Sequence, residues 1–290
     1  MRIDTIAEVV RDSVPGGPDI LVLQEVENEN AMRALVEKGL KGMGYAHFAV
    51  LPKKKIAANI GIASRFPILR MSAWSVGAWK KHGLRDVVEA EIDCGGSTLH
   101  VLNNHWKSKA GGTRKTEPSR LESAGIVGKR IREILEADPA ADIVVAGDMN
   151  ENLDEYELTG GKYQTALIPA GDRSPSAYST ESIFLAGNAR GLGADAGRLV
   201  LFEPWLELPK SSRGSYVFQG KWHTMDHILL SPGLFDSKGL SYRWGSFTVV
   251  RLPFLLKEDG TPKRWTGLKG QRGYSDHLPL LITLDGEKAK

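Results

Sequence analysis

The chain has 290 residues, 41% of them hydrophobic and 25% charged, with a net charge of +3. That balance excludes a disordered or fibrous chain, and the length suits one large domain or two small ones. No apolar run is long enough to cross a membrane as a helix, and a single cysteine, Cys94, excludes an internal disulfide and a cysteine-rich zinc site.

Ile3, Ile6, Ala7, Val10 and Val14 recur at helical spacing, so an amphipathic helix is expected up to the breaker cluster Pro15-Gly16-Gly17-Pro18. Asp19-Ile20-Leu21-Val22-Leu23-Gln24-Glu25-Val26 is a short apolar run between turn signals, read as a buried strand with a carboxylate near its C-terminal end. Residues 28–40 read as a helix with Ala31, Leu35, Val36 and Leu40 on one side, and strands are expected over 46–51, 60–64, 87–92 and 99–104. Thr116 is a candidate N-cap, with Glu117 and Pro118 in the first turn. The helix behind it runs to about Leu135, with Leu121, Ala124, Val127, Ile131 and Ile134 on its core face. Residues 142–147 form another apolar strand, ended by Asp148-Met149-Asn150. Residues 151–215 are rich in Gly, Ala and Ser and read as a poorly patterned insert. Strands resume over 216–218, 226–230, 247–250 and 278–284. Many strands and few helices argue for an α/β fold with sheet packed on sheet.

Four polar clusters lie at or beside strand ends: Gln24-Glu25, Asn103-Asn104-His105, Gly147-Asp148-Met149-Asn150 and Ser275-Asp276-His277; a fifth, Met225-Asp226-His227, opens a strand. Rigid strands that deliver carboxylates and imidazoles to their ends build a well-positioned site. If Glu25, Asp148 and Asp276 converge, two carboxylates about 4 Å apart repel by roughly 4 kcal/mol at an effective dielectric near 20. Such a group shares protons or binds a cation, and oxygen ligation with retained waters suits Mg²⁺, Mn²⁺ or Ca²⁺ rather than Zn²⁺. Histidines and an asparagine beside that cation suit phosphate chemistry. Ser275-Asp276-His277 is not a serine-hydrolase triad, because contiguous residues of an extended chain point to opposite faces; for the same reason His227 is expected to face away from Asp226.

These clusters, with Asn59-Ile60-Gly61-Ile62 and Ser64-Arg65-Phe66-Pro67, resemble the endonuclease/exonuclease/phosphatase (DNase I-like) superfamily over nearly the whole chain. The resemblance implies a four-layer α/β sandwich: two packed, mostly antiparallel sheets flanked by helices, in one domain over residues 1–290. It implies Glu25 as the principal metal ligand and Asp276 as a second, for Mg²⁺ with Mn²⁺ or Ca²⁺ as substitutes. Asp148 and Asn150 would position or activate the attacking water. His277, held by Asp226, would contact the scissile phosphate, with His105 on the opposite side and Asn103 fixing the loop or the phosphate. Members of the superfamily carry an Asn at the end of a first β-strand, before the first helix. This chain opens at that helix, so the expectation is an N-terminally truncated copy lacking that strand, with impaired activity as the alternative. The compartment, extracellular or cytoplasmic, stays open.

His105-Trp106-Lys107-Ser108-Lys109 resembles the His-aromatic-Lys-Ser-Lys run of bacterial extracellular and DNase I-like nucleases. Arg65, Trp106, Lys107 and Lys109 are therefore candidate substrate contacts. Lys53-Lys54-Lys55, Arg114, Lys115, Arg120, Lys263, Arg264, Lys269 and Arg272 would extend them into a track for a polyanion if their loops share one rim. Trp106, Trp222, Trp244 and Trp265 are candidates for stacking on bases. The expected function is a metal-dependent endonuclease, a monomer acting on DNA or RNA. The alternatives are a phosphatase or sphingomyelinase-like diesterase on a small or lipid phosphoester, and an inactive nucleic-acid-binding scaffold.

Overall fold

A computed structural model describes residues 2–53, 58–79, 82–170, 181–195, 198–267 and 273–286. Helix α1 (Arg2–Ser13) leads into strand β1 (Ile20–Val26), helix α2 (Glu29–Ala34) with a π-helical turn over Leu35–Gly39, and strands β2 (His47–Leu51) and β3 (Asn59–Ser64). The three strands form an antiparallel sheet in the order β1-β3-β2. All of β3 is buried because the sheet is covered on both faces. Ile62 packs into the main core, whereas its neighbour Ala63 packs with Ala7, Val10, Met32, Leu35 and Val36 of the helical layer, the period-2 alternation of a strand.

The second sheet begins at β4 (Ile68–Trp74). A short β5–β6 hairpin (Ala78–Trp79, His82–Gly83) precedes β7 (Val87–Asp93), β8 (Thr98–His105), helix α3 (Thr113–Ala137) and β9 (Asp142–Asp148). Helix α4 (Glu155–Leu158), β10 (Leu167–Pro169), β11 (Ile183–Ala186), β12 (Gly193–Asp195) and β13 (Arg198–Phe202) follow, then the β14–β15 hairpin (Tyr216–Phe218, Lys221–His223) and β16 (Asp226–Leu230). In space the order is β10-β11-β13-β16-β9-β8-β7-β4, with β12 on β13. β8 pairs with β9 in parallel, and so do β10, β11 and β13; the other neighbours are antiparallel. Ala124, Val127, Ile131 and Ile134 of α3 are buried in the same core as Val101, Ile143 and Val145. The layers are thus α1 and α2, the small sheet, the large sheet and α3: a four-layer α/β sandwich.

Two expectations change. Helix α3 starts three residues before Thr116, behind Gly112 at φ 105°, and Thr116 Oγ1 donates back to the Gly112 and Thr113 carbonyls at 3.0 and 3.1 Å, so it is an interior residue and not the cap. Residues 151–215 carry α4 and β10–β13, which extend the large sheet; strands of three to five residues are too short to show a period.

Glu89 of β7, 1% exposed, binds three elements together. It accepts from Trp74 Nε1 at 3.0 Å and from Arg130 of α3 at 2.6 and 3.0 Å, and faces His100 Nδ1 at 3.1 Å. Burial alone would raise this carboxyl, but the hydrogen bonds from His100, Arg130 and Trp74 and the charge of Arg130 hold it at about 2. Because that lies below the unfolded value, its stabilisation is fully present above about pH 4.5 and is lost as pH falls through about 2. Glu89→Gln is therefore expected to cost about 3 kcal/mol at pH 7, in urea titrations, with the gap to the parent closing between pH 4.5 and 2. A gap that is independent of pH would rule this account out.

Candidate active site

Strand register assembles the site. His105 lies opposite Asp148 in the parallel β8–β9 pair, and Asp148 lies opposite Asp226 in the antiparallel β9–β16 pair. Residues paired across strands share a face, so the three form one row at adjacent strand ends. His105 Nε2 is 3.5 Å from Asp148 Oδ2. His277 joins from the C-terminal segment: its Nδ1 is 2.8 Å from Asp226 Oδ2, and its ring stacks on Tyr216 at 4.5 Å between centroids. Ser215 Oγ donates to the same Asp226 oxygen at 2.5 Å. Asn150, at φ 51°, turns the chain so that its backbone N–H and its Nδ2 both donate to Asp148 at 2.9 Å. Asn103, fully buried, ties the two sheets together beside this row: Nδ2 donates to the Gly61 and Leu23 carbonyls at 3.0 and 3.3 Å, and Oδ1 accepts from Gln24 Nε2 at 2.8 Å.

The candidate ligand atoms of Asp148, Asp226 and His277 all lie within 4.8 Å of one another. Glu25 and Asp276 are exposed and stand outside that group, on its border: the Glu25 charge acts on Arg85 together with that of Asp148, and the Asp276 charge acts on His277 and Tyr216. Glu25 also holds φ 57° where the β1–β3 register shifts between Leu23 and Val26, a strained conformation of the kind that concentrates at functional sites. The charges divide cleanly. Burial pushes the Asp148 carboxyl up, and the facing Asp226 pushes it further, to about 7, against the opposing His277, Asn150 N–H and Arg85. Burial lowers the His277 imidazole, but Asp226, Asp148 and Asp276 raise it to about 9. Burial, with the charges of Arg85 and His277, drops His105 to about 3, so it is neutral. His105 Nδ1 is buried with no hydrogen-bond partner among the described residues, which favours the tautomer with its proton on Nε2, toward Asp148. Two facing carboxylates, one with a raised pKa, and two more at the rim make an oxygen-rich donor set that fits a hard divalent cation.

The five residues expected to do the chemistry, His105, Asp148, Asn150, Asp226 and His277, thus converge. The expected substrate contacts do not. Trp106 is 2% exposed, with Nε1 donating to Asn104 Oδ1 at 3.0 Å, so it is a core residue with no face to offer a base. Arg65 follows the Ser64 end of β3, opposite the end that pairs with Val26 beside Glu25, and is spent on Asp19 and the Met43, Gly16 and Gly17 carbonyls. Lys107 Nζ folds onto its own loop, donating to Ser108 and Ala110 at 3.0–3.3 Å, and Lys109 is paired with Glu155 at 2.5 Å. Of the wider basic track, Lys54, Lys55, Lys269 and Arg272 lie outside the described residues, and Arg120 is wholly buried. His227 faces away from Asp226, as its position on the strand requires, into a buried pair with Glu203. Arg85, Ser215 and Tyr216 were not legible as site residues: none stands in a polar cluster at the end of a strand, and only the packing of the β14–β15 hairpin and the approach to β7 place them here.

A family model described as the endonuclease/exonuclease/phosphatase family matches residues 1–166 and 174–286. No curated protein matches the chain. Among solved structures, truncated TDP2 from Caenorhabditis elegans superposes with a TM-score of 0.59 at 18% identity, over 96% of this chain and 88% of that one. TDP2 from D. rerio, complexed with a single-strand DNA product, gives 0.56 at 16% identity over 92% and 86%. Beta toxin from Staphylococcus aureus gives 0.55 at 16% identity over 97% and 91%.

Proposed function

Since the chain belongs to the endonuclease/exonuclease/phosphatase family, whose members hydrolyse phosphoester bonds, we propose that it is a Mg²⁺-dependent nuclease cleaving DNA or RNA phosphodiesters. The observation that carries the reading is the row of His105, Asp148, Asp226 and His277 at three strand ends. Asp148, poised at about 7, is matched to taking a proton from an attacking water at neutral pH, and the two donors from Asn150 fix which way its carboxylate points. His277, kept as an imidazolium by Asp226, supplies a charged donor to a phosphoryl oxygen, and neutral His105 supplies a second N–H from the other side. Glu25 and Asp276 at the rim, beside the Asp148–Asp226 pair, would hold Mg²⁺, with Mn²⁺ or Ca²⁺ as substitutes. Such a cation neutralises charge on a phosphoryl oxygen when bound.

The β14–β15 hairpin favours nucleic acid over a lipid headgroup. Tyr216 stacks on His277, and two residues along the same strand Phe218 stands 53% exposed, paired across the hairpin with exposed Lys221. The tip is Gln219-Gly220, both at positive φ, and is polar. An aromatic ring with an ammonium beside it suits a base and its phosphate, whereas a hairpin that enters lipid needs an apolar tip. No helix among the described residues is long and apolar enough to cross a membrane. The single-strand DNA product in the D. rerio TDP2 complex agrees with this reading.

Supercoiled plasmid with Mg²⁺ is expected to give nicked circles, EDTA to stop the reaction, and sphingomyelin vesicles to stay intact. Intact plasmid and oligonucleotide alongside turnover of the lipid, or of a phosphomonoester, would transfer the protein to another substrate class. Tight oligonucleotide binding without cleavage under any divalent metal would make it a scaffold.

A further inference from the structure

Behind the catalytic row lies a second set of polar groups that the chemistry does not touch. Arg120, Glu151 and Glu203 are wholly buried, His227 is 1% exposed and Glu117 2%. Glu203 Oε2 is 2.5 Å from His227 Nδ1, and His227 Nε2 is 2.9 Å from the Glu151 carbonyl. Both ring nitrogens therefore face acceptors, and the ring donates from both. The Glu151 carboxyl, raised well above the ordinary carboxylate range by burial and by Glu117 beside it, accepts from Arg120 Nε at 3.0 Å and from the Leu167 amide at 2.9 Å. Arg120 also donates to Glu117 at 2.5 Å, to the Thr113 carbonyl at 3.0 Å and to the Lys107 carbonyl at 3.1 Å, while Glu117 takes the Ala166 amide at 2.9 Å.

Three members of the set fall one or two residues from a catalytic group. His227 is the neighbour of Asp226, Glu151 of Asn150, and Lys107 stands two beyond His105. The connected groups start behind β16, cross the loop after β9 and end, through α3, on the loop after β8. Resting on the nuclease reading, we propose that Arg120 and Glu151 are positioning residues: the guanidinium fork clamps the loops after β8 and β9 at one fixed spacing and so sets the distance between His105, Asp148 and Asn150. A core held by apolar packing alone needs no such group, and burying an arginine between two glutamates is a weak route to stability. What the fork supplies is direction, five donors in a plane spread over α3 and both loops.

The test is Arg120→Lys, which keeps the charge and loses the fork, with Glu151→Ala and its conservative counterpart Glu151→Gln. Arg120→Lys and Glu151→Ala are expected to lower kcat about 10- to 100-fold with KM within about twofold, since displacement of a catalytic group by about 1 Å costs on that order. Glu151→Gln, which retains hydrogen bonding, is expected to recover most of that loss. Amide hydrogen exchange, which needs no turnover, is expected to quicken over residues 106–108 and 149–151 in Arg120→Lys while β1–β3 keeps its protection. Unchanged kcat in the folded variant, or exchange that quickens evenly over the molecule, overturns the proposal. A parent enzyme inert on every phosphodiester would sink the nuclease reading instead, and the exchange pattern alone would then decide the clamp.

Discussion

Asp148→Asn is expected to lower the rate of plasmid nicking about 10²- to 10⁴-fold, the contribution of a positioned proton acceptor, while leaving the apo protein as stable as its parent or more so. The two effects have opposite signs for one reason. The amide fills the same space and its one oxygen still accepts the Asn150 N–H that the parent carboxylate holds at 2.9 Å, so only the Asn150 Nδ2 bond to the other oxygen is given up, but it takes no proton from water and gives His277 no charge. The parent carboxyl, with a folded value near 7 against an ordinary 3.8, contributes stability that is present below about pH 3.8 and is lost as pH rises through about 7. An asparagine at this position has no such loss, so melting in EDTA at pH 8 should favour the variant, and at pH 4 the two should converge. For the parent, the same pair gives a rate that rises as Asp148 ionises and falls as His277 loses its proton, and a bound cation moves both limbs to lower pH. Nicking within a few-fold of the parent would remove Asp148 from the chemistry.

The sequence was most informative where a residue's role is local. The strand carrying Glu25 and the strand ending at Asp148 could be placed from short apolar runs alone, and the core face of α3 from its 3.6-residue period. That His105, Asp148 and Asp226 sit side by side was legible only through the resemblance, because cross-strand register depends on how three separate strands align and no one segment encodes it. Trp106 and Arg65 went astray for a related reason. A basic or aromatic residue beside a motif looks the same in sequence whether it faces solvent or caps a carbonyl: burial takes Trp106 out of reach, while half-buried Arg65 is spent on Asp19 and three backbone carbonyls. Arg120 is the extreme case. The surface track places it in solvent, yet it lies one turn before Ala124 on the core face of α3 and is wholly buried, because Glu117 of its own helix and Glu151 and the Lys107 carbonyl from other elements supply its acceptors. Exposed Phe218 became meaningful only once its strand was seen beside His277.

Gly147→Ala is expected to destabilise the protein by about 3–5 kcal/mol and to abolish nicking, although the change adds one methyl group and no charge. Gly147 holds φ 132°, a conformation that side chains rarely adopt, opposite Asn104 in the parallel β8–β9 pair. A Cβ there would stand 2.0 Å from the Asn104 carbonyl oxygen and 2.9 Å from its carbon. Those are backbone atoms of a central strand and cannot swing aside as a side chain would. The two strands would have to part at the pair next to His105 and Asp148, so the strain is released directly into the catalytic spacing. Gly95 provides the comparison: it also has positive φ, 82°, but a Cβ would meet nothing within 4 Å, so Gly95→Ala carries only the conformational cost, about 1 kcal/mol. Thermal melts of the two variants should differ by roughly 5–10 °C, with nicking retained in Gly95→Ala. Equal melting temperatures would mean that β8 and β9 yield at this point, and that the glycine beside Asp148 is not what holds the row in register.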